Sequence, residues 1–244
     1  MTGLTAEFAL LTLLAATVGL DGPGWVVGIA FGVIMNAALA RGLARHGAGR
    51  PGPADWVTLT RATLIGGAAA LVADSFARPV AVPVLVALTA VALVLDAVDG
   101  WLARRTDTAS ALGARFDMEV DAFLILVLSV YVARSAGAWV LAIGVARYAF
   151  VAAGWLVQWL RGSPPPRYWC KVVAATQGVV LTFAAADFVP RSVTDAALAV
   201  SLGLLAESFG REMWWLWRHA HPVTAPPARS PVVRRRPATA EIGE

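Results

Sequence analysis

The feature that most narrows the fold is a series of eight apolar runs, at about residues 4–20, 24–42, 57–77, 80–103, 118–134, 138–160, 171–187 and 194–217. Each is close to the roughly 20 residues that a helix needs to cross the hydrocarbon core of a bilayer. Turn chemistry separates the runs, in the stretches DGPG, ARPV, RSAGA, RGSPPPR and DFVPRS. Composition agrees: 58% of residues are hydrophobic and 15% are charged, against about 25% charged in a soluble domain. The expected fold is an all-α polytopic membrane protein with eight transmembrane helices, the first two closed into a tight hairpin.

Charge placement orients the chain. A net charge of +4 and a pI near 10 raise the idea of nucleic acid, but the bases lie between apolar runs and in the tail, where they read as topology signals. No nucleic-acid partner is expected. One set of alternate loops carries Arg41, Arg45 and Arg50, then Arg104, Arg105 and Arg115, then Arg161, Arg167 and Lys171; the other carries Arg78, Arg134 and Arg191. The richer set marks the cytoplasmic side, so both termini are expected there, in a bacterial-type inner membrane. MTGLTAEF lacks a basic region ahead of its apolar stretch, so the first helix is read as retained. Cys170, alone of its kind, forms no internal disulfide and reads as a small packed residue.

The expected organisation is a hairpin over residues 1–43, a juxtamembrane segment over 44–56, a six-helix catalytic domain over 57–217 and a basic tail over 218–244. From Pro222 onward the chain is proline-rich without periodicity, which predicts disorder. Arg234 to Arg236 are placed to meet anionic headgroups or to form a solvated flank. Trp155, Trp159, Trp169, Trp214, Trp215 and Trp217 near helix ends predict an interfacial belt. His219 and His221 read as tail residues beyond the last helix, and Pro164 to Pro166 as a stiff loop.

Within this apolar chain four aspartates crowd into 26 residues. Asp96, Asp99, Gly100 and Ala103 are spaced i, i+3, i+4 and i+7 and share one face at the end of the fourth run. Asp117 and Asp121 share a face at the start of the fifth. A short connection lets the two pairs converge on the cytoplasmic side. An intramembrane carboxylate costs roughly 2.5–3.5 kcal/mol, so four without compensation cost on the order of 10 kcal/mol. Oxygen ligands select hard divalent ions, which bind phosphates through a few carboxylates. Two such ions suit a diphosphate, with Gly100 allowing close approach, Ala103 leaving room and Arg104 offering a fork for phosphate. The alternative is a solvated loop in which the aspartates pair with Arg104, Arg105 and Arg115.

The pattern Asp96-x2-Asp99-Gly100-x2-Ala103-Arg104-x8-Gly113-x3-Asp117-x3-Asp121 resembles, without gap or substitution, the signature of the CDP-alcohol phosphatidyltransferase family. The resemblance spans about residues 54–217. It implies a six-helix membrane core, usually homodimeric, that moves a phosphatidyl group from a CDP-lipid to an alcohol and releases CMP. It implies that Asp96, Asp99, Asp117 and Asp121 hold two divalent ions, magnesium or manganese, and that Asp121 also takes the proton of the acceptor hydroxyl. Gly100, Ala103, Arg104, Ser110 and Gly113 are implied at the CDP-lipid. Upstream, Asp55-x-x-Thr58-x-x-Arg61 stands where the family often has Asn-x-x-Thr-x-x-Arg, which implies Thr58 and Arg61 at the nucleotide; aspartate replaces the usual asparagine. Glu119, at i+2 from Asp117, is expected to point away from the metals.

The acceptor is expected to be a small polar alcohol, a phosphorylated polyol such as inositol phosphate or glycerol phosphate. Arg147, inside the sixth run, with Lys171 and Arg211 on the next two, resembles an acceptor-phosphate pocket. Alternatively, Arg211 pairs with Glu207 at i−4 and Lys171 reaches for the interface. Rival readings are an intramembrane prenyltransferase, which needs a second aspartate-rich motif; a transporter, which needs two symmetric halves with interrupted helices; and an inactive family member acting as an assembly partner.

Overall fold

A computed structural model describes residues 2–46, 53–106, 111–162 and 168–220. Eight α-helices follow one another: α1 (Thr2–Val18), α2 (Gly22–His46), α3 (Pro53–Asp74), α4 (Val82–Thr106), α5 (Ala111–Ala136), α6 (Leu141–Leu156), α7 (Tyr168–Ala186) and α8 (Arg191–Ala220). Among the described residues there is no strand, and the all-α polytopic expectation holds. Gly19, at φ 69°, follows the end of α1 in the left-handed conformation that glycine adopts without penalty. Pro53 opens α3 and Pro190 precedes α8, positions where a missing N–H costs nothing.

Five helices contain spans long and apolar enough to cross a membrane: Gly22–Gly42, Trp56–Asp74, Ala138–Leu156, Trp169–Ala186 and Arg191–Ala220. Helices α1 and α4 carry the shorter apolar stretches Gly3–Val18 and Val82–Val98. In the remaining helix, α5, the acids at 117, 119 and 121 interrupt the apolar run but not the helix. Large apolar side chains such as Ile34, Val94, Phe183 and Val200 point outward. Water would penalise that surface, whereas lipid tails match it.

Three boundaries differ from expectation. Helix α5 begins at Ala111 rather than near 118, so Asp117 and Asp121 lie in its second and third turns instead of at its start. Hydropathy fades at Arg115 and Asp117, but backbone hydrogen bonding is indifferent to it, and Ala111, Leu112 and Ala114 are good helix formers. Helix α6 stops at Leu156 because Val157 is extended, at φ −119° and ψ 108°, and the chain continues as a 3-10 turn over Gln158–Arg161. Helix α8 runs on to Ala220, so His219 belongs to its last turn rather than to a tail; its Nδ1–H donates to the Trp215 carbonyl at 2.8 Å. His221, the tail and Pro164 to Pro166 lie outside the described residues.

The most deeply buried span is that of α3, which packs against α1, α2, α4 and α5. Its sequence Gly66-Gly67-Ala68-Ala69-Ala70 removes bulk, so neighbouring backbones approach closely. On α2, Gly28 and Gly32 do the same for α1: an added Cβ would meet Leu11 Cδ2 at 2.6 Å and Glu7 Cγ at 2.8 Å. Phe31 of α2 stacks on Phe123 of α5, with ring centroids 4.4 Å apart. The N-terminal hairpin is thereby built into the bundle. Between α7 and α8, buried Gln177 donates to the Ser201 carbonyl at 2.8 Å and accepts from the Ser201 hydroxyl.

Helix alternation sorts the polar groups to two ends of the bundle. At one end Asp74, fully buried, accepts from the backbone N–H groups of Asp21 and Gly24, both at 2.7 Å, and from Arg78 at 3.1 Å. Arg78 also pairs with Asp21 at 3.2 Å. Arg134 donates to the Ser75 carbonyl and Arg191 to that of Ser135 at the same end. The three arginines expected opposite the aspartates are all here.

Candidate active site

At the other end the starts of α3 and α5 meet the last turns of α4. Arg61 sits on α3, 1% exposed, and its guanidinium is turned into the acids of the neighbouring helices. Nη1 lies 3.0 Å from Asp96 Oδ1 and also bonds Asp117 Oδ1, while Nη2 bonds Asp121 Oδ1. The three aspartates each offer a carboxylate oxygen within 4.8 Å of the others. They are 34%, 36% and 32% exposed, so the acids open toward the outside above a buried arginine floor.

Helical phase explains the convergence. Asp117 and Asp121 are one turn apart on α5, and Asp96 lies nearly three turns before the end of α4. Asp99, Gly100, Ala103 and Arg104 continue on α4, where the spacing puts Asp99, Gly100 and Ala103 on the face of Asp96. The side chains of residues 99–112 lie outside the described residues, as does Ser110 altogether. Gly113 occupies the first turn of α5. Thr58 is buried one turn before Arg61 on α3, while the side chain of Asp55 is outside the described residues.

Three carboxylate oxygens this close, on three turns of two helices that both pack on α3, form a hard-oxygen donor set that suits a magnesium- or manganese-like cation and keeps a side open for water and phosphate. The chain's match to the sequence model of the CDP-alcohol phosphatidyltransferase family covers residues 52–206, more than half its length, and includes all of these helices' acids. The chain belongs to the CDP-alcohol phosphatidyltransferase family. No curated protein and no solved structure matches it. As a member of this family it is a phosphotransferase of phospholipid biosynthesis that acts on a CDP-alcohol, in a family that uses divalent ions. The hairpin α1–α2 lies outside the matched region, although it packs on the helix that carries Arg61.

The three cations expected at the acceptor lie on three helices, α6, α7 and α8. Arg147 on α6 pairs with Glu119 of α5, Nη2 to Oε1 at 2.7 Å, so the acid missing from its own helix comes from the neighbouring one. Glu119 is thus turned to α6, away from Arg61, as its i+2 spacing requires. Arg211 pairs with Glu207 one turn earlier on α8 at 2.9 Å, and Glu207 also accepts from Trp169 Nε1 of α7 at 2.9 Å. Lys171, two residues beyond Trp169, is exposed. Cys170 accepts a contact from the Ser208 hydroxyl at 3.6 Å, in keeping with a packed thiol. Trp155, Trp169, Trp214 and Trp217 are exposed near helix ends, as a belt requires.

Sequence reasoning missed the bond between Arg61 and the aspartates. The signal was present: Arg61 has no acid three or four positions away on α3, so a buried guanidinium there has to find its partners on other helices.

Proposed function

We propose that this transferase moves a phosphatidyl group from CDP-diacylglycerol to a phosphorylated polyol and releases CMP. The observation that carries the reading is the convergence of Asp96, Asp117 and Asp121 inside the family-matched core. Asp96, Asp99, Asp117 and Asp121 hold two divalent ions, which supply charge compensation for the diphosphate when bound. Thr58, Arg61, Gly100, Ala103, Arg104, Ser110 and Gly113 line the CDP side. Asp121 accepts the proton of the acceptor hydroxyl as that oxygen forms its bond to the lipid-bearing phosphorus. The bond from that phosphorus to the CMP oxygen breaks, and CMP departs with the electron pair. The chain's contribution is positioning plus a nearby base, which together supply most of what a displacement at phosphorus needs.

For the acceptor, what supports a phosphate is the charge inventory of α6 to α8. Arg147 and Arg211 are held in place by glutamates, and Lys171 has no acidic partner among the described residues. Lys171 therefore supplies the uncommitted positive charge, with the two arginines able to exchange a glutamate for a phosphate. The alternation of basic loops supports an inner-membrane location with the aspartate end and both termini cytoplasmic, and the enzyme is proposed to work as a homodimer. Purified protein with labelled CDP-diacylglycerol, manganese and a panel of acceptors is the test. CMP release that requires manganese, is lost on chelation and is fastest with inositol phosphate or glycerol 3-phosphate is the expected result. Equal release with unphosphorylated polyols overturns the acceptor, and no release with any acceptor overturns the donor.

A further inference from the structure

A buried guanidinium under three partly exposed carboxylates is more than a structural ion pair. The two arms of Arg61 are both engaged, Nη1 with Asp96 and Asp117 and Nη2 with Asp121, and its Nε is buried without a hydrogen-bond partner. One positive charge against three negative ones leaves a surplus of two negative charges. The surplus is equal and opposite to the charge of one divalent ion, which makes the cage attractive to such an ion even with the arginine in place. The same guanidinium repels that ion, because both cations compete for the same oxygens.

We infer that Arg61 is the resident counter-cation of the aspartate cage: it holds the three carboxylates together against their mutual repulsion, and it keeps the affinity for a free divalent ion low. The inference rests on the reading of these aspartates as metal ligands. A forked guanidinium bonds phosphate oxygens as well as it bonds carboxylates, so Arg61 has an alternative partner when a diphosphate arrives. The anion then both draws the arginine and adds ligands for the ions. Free metal therefore binds weakly, and metal and nucleotide bind together. In this role Arg61 is a positioning residue for the cage rather than a group that reacts.

The test uses the full chain in detergent, with thermal unfolding in EDTA and in manganese, and direct manganese titration by electron paramagnetic resonance. Arg61→Gln is expected to unfold at a lower temperature than wild type in EDTA and to regain more than wild type does when manganese is added. It is also expected to bind manganese roughly tenfold tighter or more, since the competing charge is gone. Adding CDP should tighten manganese binding more in wild type than in Arg61→Gln. Arg61→Gln/Asp117→Asn, which removes one acid along with the arginine, is expected to recover much of the stability lost in EDTA, an effect that loss of a merely structural side chain does not produce. If Arg61→Gln cannot be purified, recovery of the double variant supports the inference and its failure overturns it. Manganese binding by Arg61→Gln no tighter than by wild type, or an unchanged unfolding temperature in EDTA, also overturns it. Absence of manganese binding in both proteins sinks the metal reading itself, and the double-variant comparison in EDTA still decides whether Arg61 is the counter-cation.

Discussion

Helix α3 carries a charged cluster toward each end, and the carboxylates of the two are satisfied to different degrees. At its C-terminal end Asp74 is fully enclosed and accepts from two backbone N–H groups and Arg78, while Arg78 also reaches Asp21. Toward its N-terminal end one arginine serves three aspartates that remain about one-third exposed. Asp74 is satisfied by three donors and enclosed, so it fastens the turn of the α1–α2 hairpin to α3. The Arg61 cluster is short of positive charge and open, which is the condition for taking up cations and phosphates. Within one helix, chemistry resides where carboxylates stay open and share one cation, and stability where a carboxylate is enclosed and fully satisfied.

Substitutions at the two ends should separate these roles. The largest effect is expected from Asp121→Asn, which removes the proposed base and should lower CMP release by about 10²- to 10⁴-fold. Its unfolding temperature in EDTA should not fall, because it relieves part of the surplus negative charge. A protein that folds and retains full transfer activity would remove Asp121 from the mechanism. Asp74→Ala should show the reverse pattern. It strands the backbone N–H groups of Asp21 and Gly24 while Arg78 keeps Asp21, and is expected to cost about 1–3 kcal/mol for each buried donor in detergent unfolding. If that cost is absent, the hairpin is not fastened at this point.

Between the two ends, Gly66 faces the buried side chain of Glu7, and an added Cβ there would meet the Glu7 carboxyl carbon at 2.8 Å. Gly66→Val is expected to cost about 1–3 kcal/mol through overpacking. Pairing it with Glu7→Ala should return part of that loss, and a double variant no better than the single one would show that the clash lies elsewhere. The smallest effect is expected at the rim. Glu119→Gln breaks a half-exposed pair with Arg147 and should change stability by less than about 1 kcal/mol. Its readout is the KM for a phosphorylated acceptor, which should move while kcat stays nearly constant. A fall in kcat alone would place Glu119 with the reacting groups instead.

Much of this organisation is legible in the residues. The apolar runs forecast eight membrane-crossing helices because crossing lipid demands length and apolarity together; among the described residues eight helices form, five of them with spans long and apolar enough to cross. The i, i+4 and i, i+3 spacings put the aspartates on shared faces, and packing of α4 against α3 and of α3 against α5 brings Asp96, Asp117 and Asp121 together. Other features resisted. The start of α5 is not visible to hydropathy, since charged residues continue a helix as readily as apolar ones do. The break at Val157 lies inside a run read as one helix, where only Gln158 interrupts the apolar side chains around it and none of them marks an extended backbone. Gly24-x3-Gly28-x3-Gly32 on α2 was a readable sign of close packing, and two of these glycines receive Leu11 and Glu7 of α1.

By itself the sequence determined the class of fold, the helical phase of the acids and the family, because each depends on spacing along one chain. Which charges answer which was decided only by tertiary structure. Arg61 lies 56 residues from Asp117, and Arg147 lies 28 from Glu119. Nothing local to those residues selects their partners. The selection comes from the small-residue stripe of α3, which lets α1, α2, α4 and α5 close around it and carries Arg61 to the carboxylates of two other helices.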